Sequence, residues 1–166
     1  NYKAWERTLE QAAVMRHQTG GAEGCTYEEN EPSNRRRRWH HLVMYGFILT
    51  FISTTSAAFM ENILGQFPPY DYLSVPVVTG TVGGVMATIG CVALIRLKKR
   101  SDHFQTTETM LKADYGLLWA LLFLMVSGLL VLVTRTTILF GPLLVLHLAA
   151  VLVAFAITPY TKFVHW

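Results

Sequence analysis

His147 and His165 stand eighteen residues apart in a largely apolar stretch. At 100° per residue, eighteen steps make about five whole turns, so on one helix both imidazoles point the same way. At 1.5 Å per residue they are separated by about 27 Å, close to the thickness of a bilayer core. One ring then lies inside the membrane and the other at its edge. Ionisable residues within a span are functional suspects. Two imidazoles stacked on one face suggest b-type haem ligation, because the iron takes a neutral ring nitrogen. The plainer reading makes His147 a hydrogen-bonded packing residue and His165 an interfacial one. Pro159 intervenes, so the five-turn phasing requires the helix to resume beyond it.

The elements that must position these rings are read from hydropathy. The chain has 166 residues, 52% of them hydrophobic, gathered into four runs at 42–64, 75–97, 115–133 and 137–158. Each is close to the roughly 20 apolar residues that cross a bilayer. The last three carry no acidic side chain, and the first has only Glu61 near its end. Spanning helices satisfy their own backbone groups, as lipid demands. Ten basic residues (Arg35 to Arg38, Arg96, Lys98, Lys99, Arg100, Lys112 and Lys162) fall on one side, against Arg135 alone on the other. The positive-inside rule then orients the chain. The expected fold class is an all-α integral membrane protein, a four-helix transmembrane bundle with both termini on the inner side.

Residues 1–38 are expected to form a peripheral helix followed by an acidic and then basic loop, and residues 39–166 the four-span, haem-binding-type domain. The run from Ser53 to Ala58 is made of small side chains, which admit a close neighbour or leave room for a flat macrocycle. Ser74 and Pro76 read as the N-cap and first turn of the second span. Gly80 and Gly84, with Thr88 a turn further, mark a tight packing face. Pro142 falls in the first turn of the fourth span, where it is tolerated. The short turn before that span makes the third and fourth helices antiparallel neighbours.

Four antiparallel spans put His40, His41 and His165 at one depth. His165 with either His40 or His41, which a 100° rotation separates, would hold an inner six-coordinate haem b. His147 lies roughly 12 Å into its helix. Its partner across the bundle should come from residues 57–61, where Met60 is the one soft donor and is read as a packing residue. Arg135 is either a partner for a haem propionate or a residue snorkelling to the outer headgroups. Cys25 and Cys91 form no CxxC, and a four-cysteine iron–sulfur cluster cannot be built from this chain; any such cluster belongs to a partner or to another segment. The net charge of +3 reflects membrane bias, since the basic clusters abut the spans; no nucleic-acid partner is expected.

Three stretches, GGAEGCTYEENEPSNRRRRWHHLVMYGF, PYDYLSVPVVTGTVGG and LHLAAVLVAFAITPYTKFVH, resemble the membrane domain of the tricarballylate/citrate-utilisation protein B family. The last also resembles the final helix of nitrate-reductase gamma-type cytochrome b subunits, where two histidines at this spacing ligate two haems. The resemblance covers nearly the whole chain. It implies electron transfer through haem b between a soluble flavoprotein or iron–sulfur dehydrogenase partner on the inner side and the quinone pool, as part of a larger membrane complex. Family members carry a ferredoxin-like domain ahead of the membrane part, and often a histidine near the end of the first span, where this chain reads Phe59-Met60-Glu61.

The expected function is therefore a membrane anchor and electron-transfer subunit with no catalytic site of its own. The alternative is a haem-free structural subunit of a respiratory-chain complex. A small transporter is disfavoured because buried carboxylates, broken helices and internal repeats are missing from the pattern. The expected location is an energy-converting membrane, either a bacterial cytoplasmic or a mitochondrial inner one.

Overall fold

The computed structural model describes residues 5–8, 27–28, 31–32, 35–100 and 108–158. Four long helices dominate it: α1 (Arg35–Asn62), α2 (Val75–Arg100), α3 (Glu108–Val133) and α4 (Phe140–Ile157). All four contain windows apolar and long enough to cross a membrane. An antiparallel ladder of two-residue strands, β1 (Tyr27–Glu28) and β2 (Glu31–Pro32), lies where composition predicts only a loop. It adds no layer to the helical fold.

α1 begins at Arg35, seven residues ahead of the apolar run. Its 28 residues extend about 42 Å, so the arginine-rich first turns project beyond a hydrocarbon core. At its other end the Asn62 side-chain amide donates to Ala58 O at 2.8 Å. Gly65 then takes a left-handed φ of 63°, which glycine adopts without a Cβ clash, and Gln66 N–H returns to Met60 O at 3.0 Å. α2 starts one residue before Pro76, as the first-turn position of a proline allows. Ser74 O accepts from Val78 N–H, but the Ser74 hydroxyl donates back to Asp71 O at 2.6 Å. Its position is that of a cap, while its hydroxyl proton tightens the preceding turn.

The closest packing lies between α1 and α2. Gly80, Gly83, Ala87 and Gly90 recur at steps of three, four and three, which keeps them on one side of α2. A Cβ built on Gly83 would lie 2.6 Å from Gly46 O, and one on Gly46 would lie 2.6 Å from Ala87 N. Here backbone meets backbone. The expected packing face of Gly80 and Gly84 is divided between two neighbours: Gly80 meets Ser53 of α1, and Gly84 meets Leu129 of α3. The 40° between residues four apart is enough to split them.

Successive helices run antiparallel through short connections. At one end of the bundle Lys98 Nζ of α2 meets Asp114 Oδ2 of α3 at 2.5 Å and lies 5.6 Å from the Tyr115 ring centroid. At the other, residues 134–139 form the turn into α4, which begins at Phe140 rather than Thr137. Pro142 does fall in the first turn of α4. Val43, Ala87, Cys91, Ile95, Met125 and Ser127 are buried in the seams between α1, α2 and α3 or facing α4, whereas α4 buries no residue fully.

Candidate functional site

His147 lies in the middle of α4, seven residues beyond the helix start, facing α3. Its Nδ1 is 2.9 Å from the Ser127 hydroxyl oxygen. That hydroxyl has one proton, and Leu124 O at 3.0 Å is an acceptor for it. In the tautomer that keeps this bond, Nδ1–H donates to the Ser127 oxygen and a lone pair is left on Nε2. Iron- and zinc-binding histidines are held in this way, with the second ring nitrogen donating to a fixed acceptor. Gly128 makes room for the ring: a Cβ there would come within 3.1 Å of His147 Cε1.

His147 forms part of the wall of a cavity of about 440 Å³ to which all four helices contribute. This is within the usual range for pockets that hold organic cofactors. Most of the wall is apolar, and glycines at 80, 84 and 128 keep it wide. Among the described residues four hydroxyls also line it, and each spends its proton on backbone. Thr50 donates to Phe47 O at 2.8 Å, Ser53 to Pro76 O at 2.5 Å, Thr54 to Thr50 O at 3.1 Å, and Thr81 to Val77 O at 2.7 Å. The polar atoms of the wall are thus lone pairs, suited to a metal or a hydrogen-bond donor and unsuited to a carboxylate. The carboxylates of any macrocycle seated here would have to reach beyond this wall.

The other expected site residues are placed differently. Met60 is half-buried on the last turn of α1 and does not line the cavity. Met125, a buried thioether on α3 that the sequence reading passed over, does line it. His40 and His41 are half-buried near the start of α1, away from His147, with the His41 ring stacked on Tyr45 at 5.8 Å between centroids. Their expected partner His165 lies outside the described residues, as do Lys162, Lys112's side chain and the loop around Cys25. Among the described residues, no three His, Cys, Asp or Glu side chains come together as a metal-binding group.

Arg135 makes contacts between two loops. Its Nη1 donates to Tyr70 O at 2.8 Å, and its guanidinium carbon is 3.5 Å from the Tyr72 ring centroid. Tyr70 Oη in turn lies 3.1 Å from Ala57 O. The α3–α4 turn is therefore fastened to the α1–α2 loop, which closes that end of the bundle above the cavity.

The site is thus a half-buried imidazole bonded to a serine of the neighbouring helix, inside a bundle of apolar helices. A family model described as citrate utilization protein B matches residues 1–166. A protein named citrate utilization protein B from Escherichia coli is 33% identical over 155 residues, 93% of this chain. The chain spans 41% of that relative's length. No solved structure matches. With the whole of its length matched and its four helices accounted for, the chain belongs to the citrate utilization protein B family.

Proposed function

We propose that this chain is a membrane electron-transfer unit that carries haem b between a flavoprotein or iron–sulfur partner and the quinone pool. The observation that carries the proposal is His147 in the wall of the cavity between the four helices, bonded through Nδ1 to Ser127 so that Nε2 is the nitrogen left for a ligand. Haem b, when bound, supplies one-electron carriage at a potential set by its ligands and surroundings. The chain's own residues do the positioning. Ser127 fixes the tautomer and turn of the ring, Gly128 admits it, and the apolar wall limits water. At the other end of the bundle His165, with His40 or His41, is the proposed ligand pair for an inner haem.

The basic clusters at the start of α1 and the end of α2 support an inner-side location for that end under the positive-inside rule. The dehydrogenase partner would dock there. The Escherichia coli relative supports a bacterial cytoplasmic membrane, and its name supports a tricarboxylate as the partner's substrate. A haem-free structural subunit is the second reading. It is favoured by His147 being the single imidazole in the cavity lining among the described residues, since bis-histidine ligation needs a second.

A reduced-minus-oxidised absorption spectrum of the purified protein, with haem extracted and counted, separates the two. The expected result is the sharp α-band of low-spin haem b, diminished in His147→Ala or His165→Ala. Purified, folded protein with no stoichiometric haem, after expression with ample haem supply, would overturn the proposal and leave the structural reading.

A further inference from the structure

We propose that the groove between the start of α1 and the end of α2 binds an anionic phospholipid, its phosphate among Arg35, Arg96 and Arg100 and an acyl chain along the apolar floor. The groove has a volume of about 500 Å³ and is distinct from the His147 cavity, with which it shares no lining residue. Among the described residues, three of the seven that line it are arginines and none is acidic. Two of these arginines, Arg96 and Arg100, stand at the end of α2. Deeper along the same helix the floor becomes apolar, with Leu97, Ala93 and Ile89. The step from Arg100 back to Ile89 is about 16 Å along the axis. Ile89 is 50% exposed on a helix apolar and long enough to cross a membrane, so this floor opens toward lipid. Trp39 lines the groove near the arginines, at the level where an amphipathic ring prefers to sit.

The order of chemistry along the groove, cationic and then aromatic and aliphatic, is the order along a phospholipid from headgroup to tail. Guanidinium groups match phosphate oxygens in pairs. Arg96 and Arg100, with no acidic side chain in the lining among the described residues, favour a lipid with net negative charge over a zwitterionic one, whose own cation would be brought against them. Basic pockets between spanning helices are used in this way. The floor argues against a soluble anion, which has nothing to place on Leu97, Ala93 and Ile89. The proposal does not depend on haem.

The test uses the full chain reconstituted in phosphatidylcholine nanodiscs with rising fractions of tail-brominated phosphatidylglycerol. Trp39 quenching is isolated by difference from Trp39→Phe. Brominated phosphatidylcholine at the same fractions serves as the reference. Preferential quenching by the anionic lipid is expected, with an apparent affinity about fivefold weaker for Arg96→Gln or Arg100→Gln. Lys99→Gln removes the same charge outside the groove and should change little. Equal quenching by both lipids would overturn the proposal. So would an equal loss in Lys99→Gln, which would mean general surface charge, or reversal by inorganic phosphate, which would mean a soluble-anion site. Circular dichroism and the haem spectrum of each variant report folding separately, so a failed lipid site and a failed haem site are distinguishable.

Discussion

The α1–α2 seam and the α3–α4 seam solve the same packing problem in opposite ways. Between α1 and α2, glycines let two backbones touch, and what a Cβ at Gly83 would strike is the carbonyl of Gly46. Between α3 and α4, a glycine makes room for a side chain, and what a Cβ at Gly128 would meet is the ring of His147. In lipid there is no hydrophobic drive to press helices together, so close backbone contact and interhelical hydrogen bonds do that work. The first seam is an inflexible frame. The second holds a polar group whose position can be adjusted, and the cavity lies between the two. A site with chemistry to perform is better placed on the adjustable seam, provided the frame beside it is fixed.

The sharpest way to break this comparison is to overfill the frame and, as a reference, an exposed position. Gly83→Leu puts atoms where the Gly46 carbonyl stands, and neither backbone can yield without separating the helices. A loss of about 3 kcal/mol is expected, the upper end of ordinary overpacking costs. Ala149→Leu adds the same kind of bulk to an exposed position on α4 and should stay within about 0.5 kcal/mol of the parent. Thermal unfolding in one detergent, followed by near-ultraviolet circular dichroism, reads both. Similar losses in the two variants would remove the distinction between frame and periphery.

Ser127→Ala tests the other seam. It deletes the acceptor that holds His147 Nδ1–H and leaves a polar group inside an apolar bundle. About 1 kcal/mol of stability should be lost, modest because the rotated ring can find other partners in the membrane. The larger consequence is chemical. With Nδ1–H no longer anchored, the nitrogen-15 resonances of His147 should show two tautomers in exchange where the parent shows one. A single unchanged tautomer would show that Ser127 does not set it.

Arg135→Gln should have a smaller effect on stability, about 0.5 kcal/mol, because its partners are a backbone carbonyl and a ring at the edge of the bundle. Its loss unfastens the α3–α4 turn from the α1–α2 loop. Hydrogen exchange should rise in residues 66–74 and 134–139 and not along the α1–α2 seam. Uniform exchange across the bundle would mean that the fastening is not local.

The four helices were legible in the sequence because a bilayer imposes a length on apolar runs. Their ends were not. Hydropathy marks where lipid begins, whereas a helix continues into water while its backbone bonds remain cheap to make, so α1 reaches back to Arg35 and α3 to Glu108. The α1–α2 seam was visible in the 80, 83, 87, 90 spacing, but Gly80 and Gly84 are the more conspicuous pair and they face different neighbours. The pairing of Ser127 with His147 could be reached by counting, since each is ten residues from Thr137 in the turn between two antiparallel helices. Arg135 was another matter. Nothing in its sequence neighbourhood points to a carbonyl 65 residues away.

The smallest expected change in stability comes from Gly128→Ala, and it divides the two seams most finely. Alanine is favoured over glycine within a helix by up to about 1 kcal/mol. Against that, the new methyl lies 3.1 Å from His147 Cε1, so the ring must give way by a few tenths of an ångström. An aromatic side chain at the edge of a cavity can do so, and the two effects should nearly cancel. The melting temperature should barely move. The displaced ring nevertheless changes the angle at Nδ1 toward Ser127 and the direction of the Nε2 lone pair. If His147 holds haem, the low-spin spectrum should shift while haem content persists, a combination that neither an empty cavity nor a purely structural imidazole can give. The same methyl at Gly83 would meet a peptide carbonyl at 2.6 Å and could not be absorbed. Equal destabilisation by Gly83→Ala and Gly128→Ala would show that the second seam is as inflexible as the first, and that the cavity is not bordered by an adjustable wall.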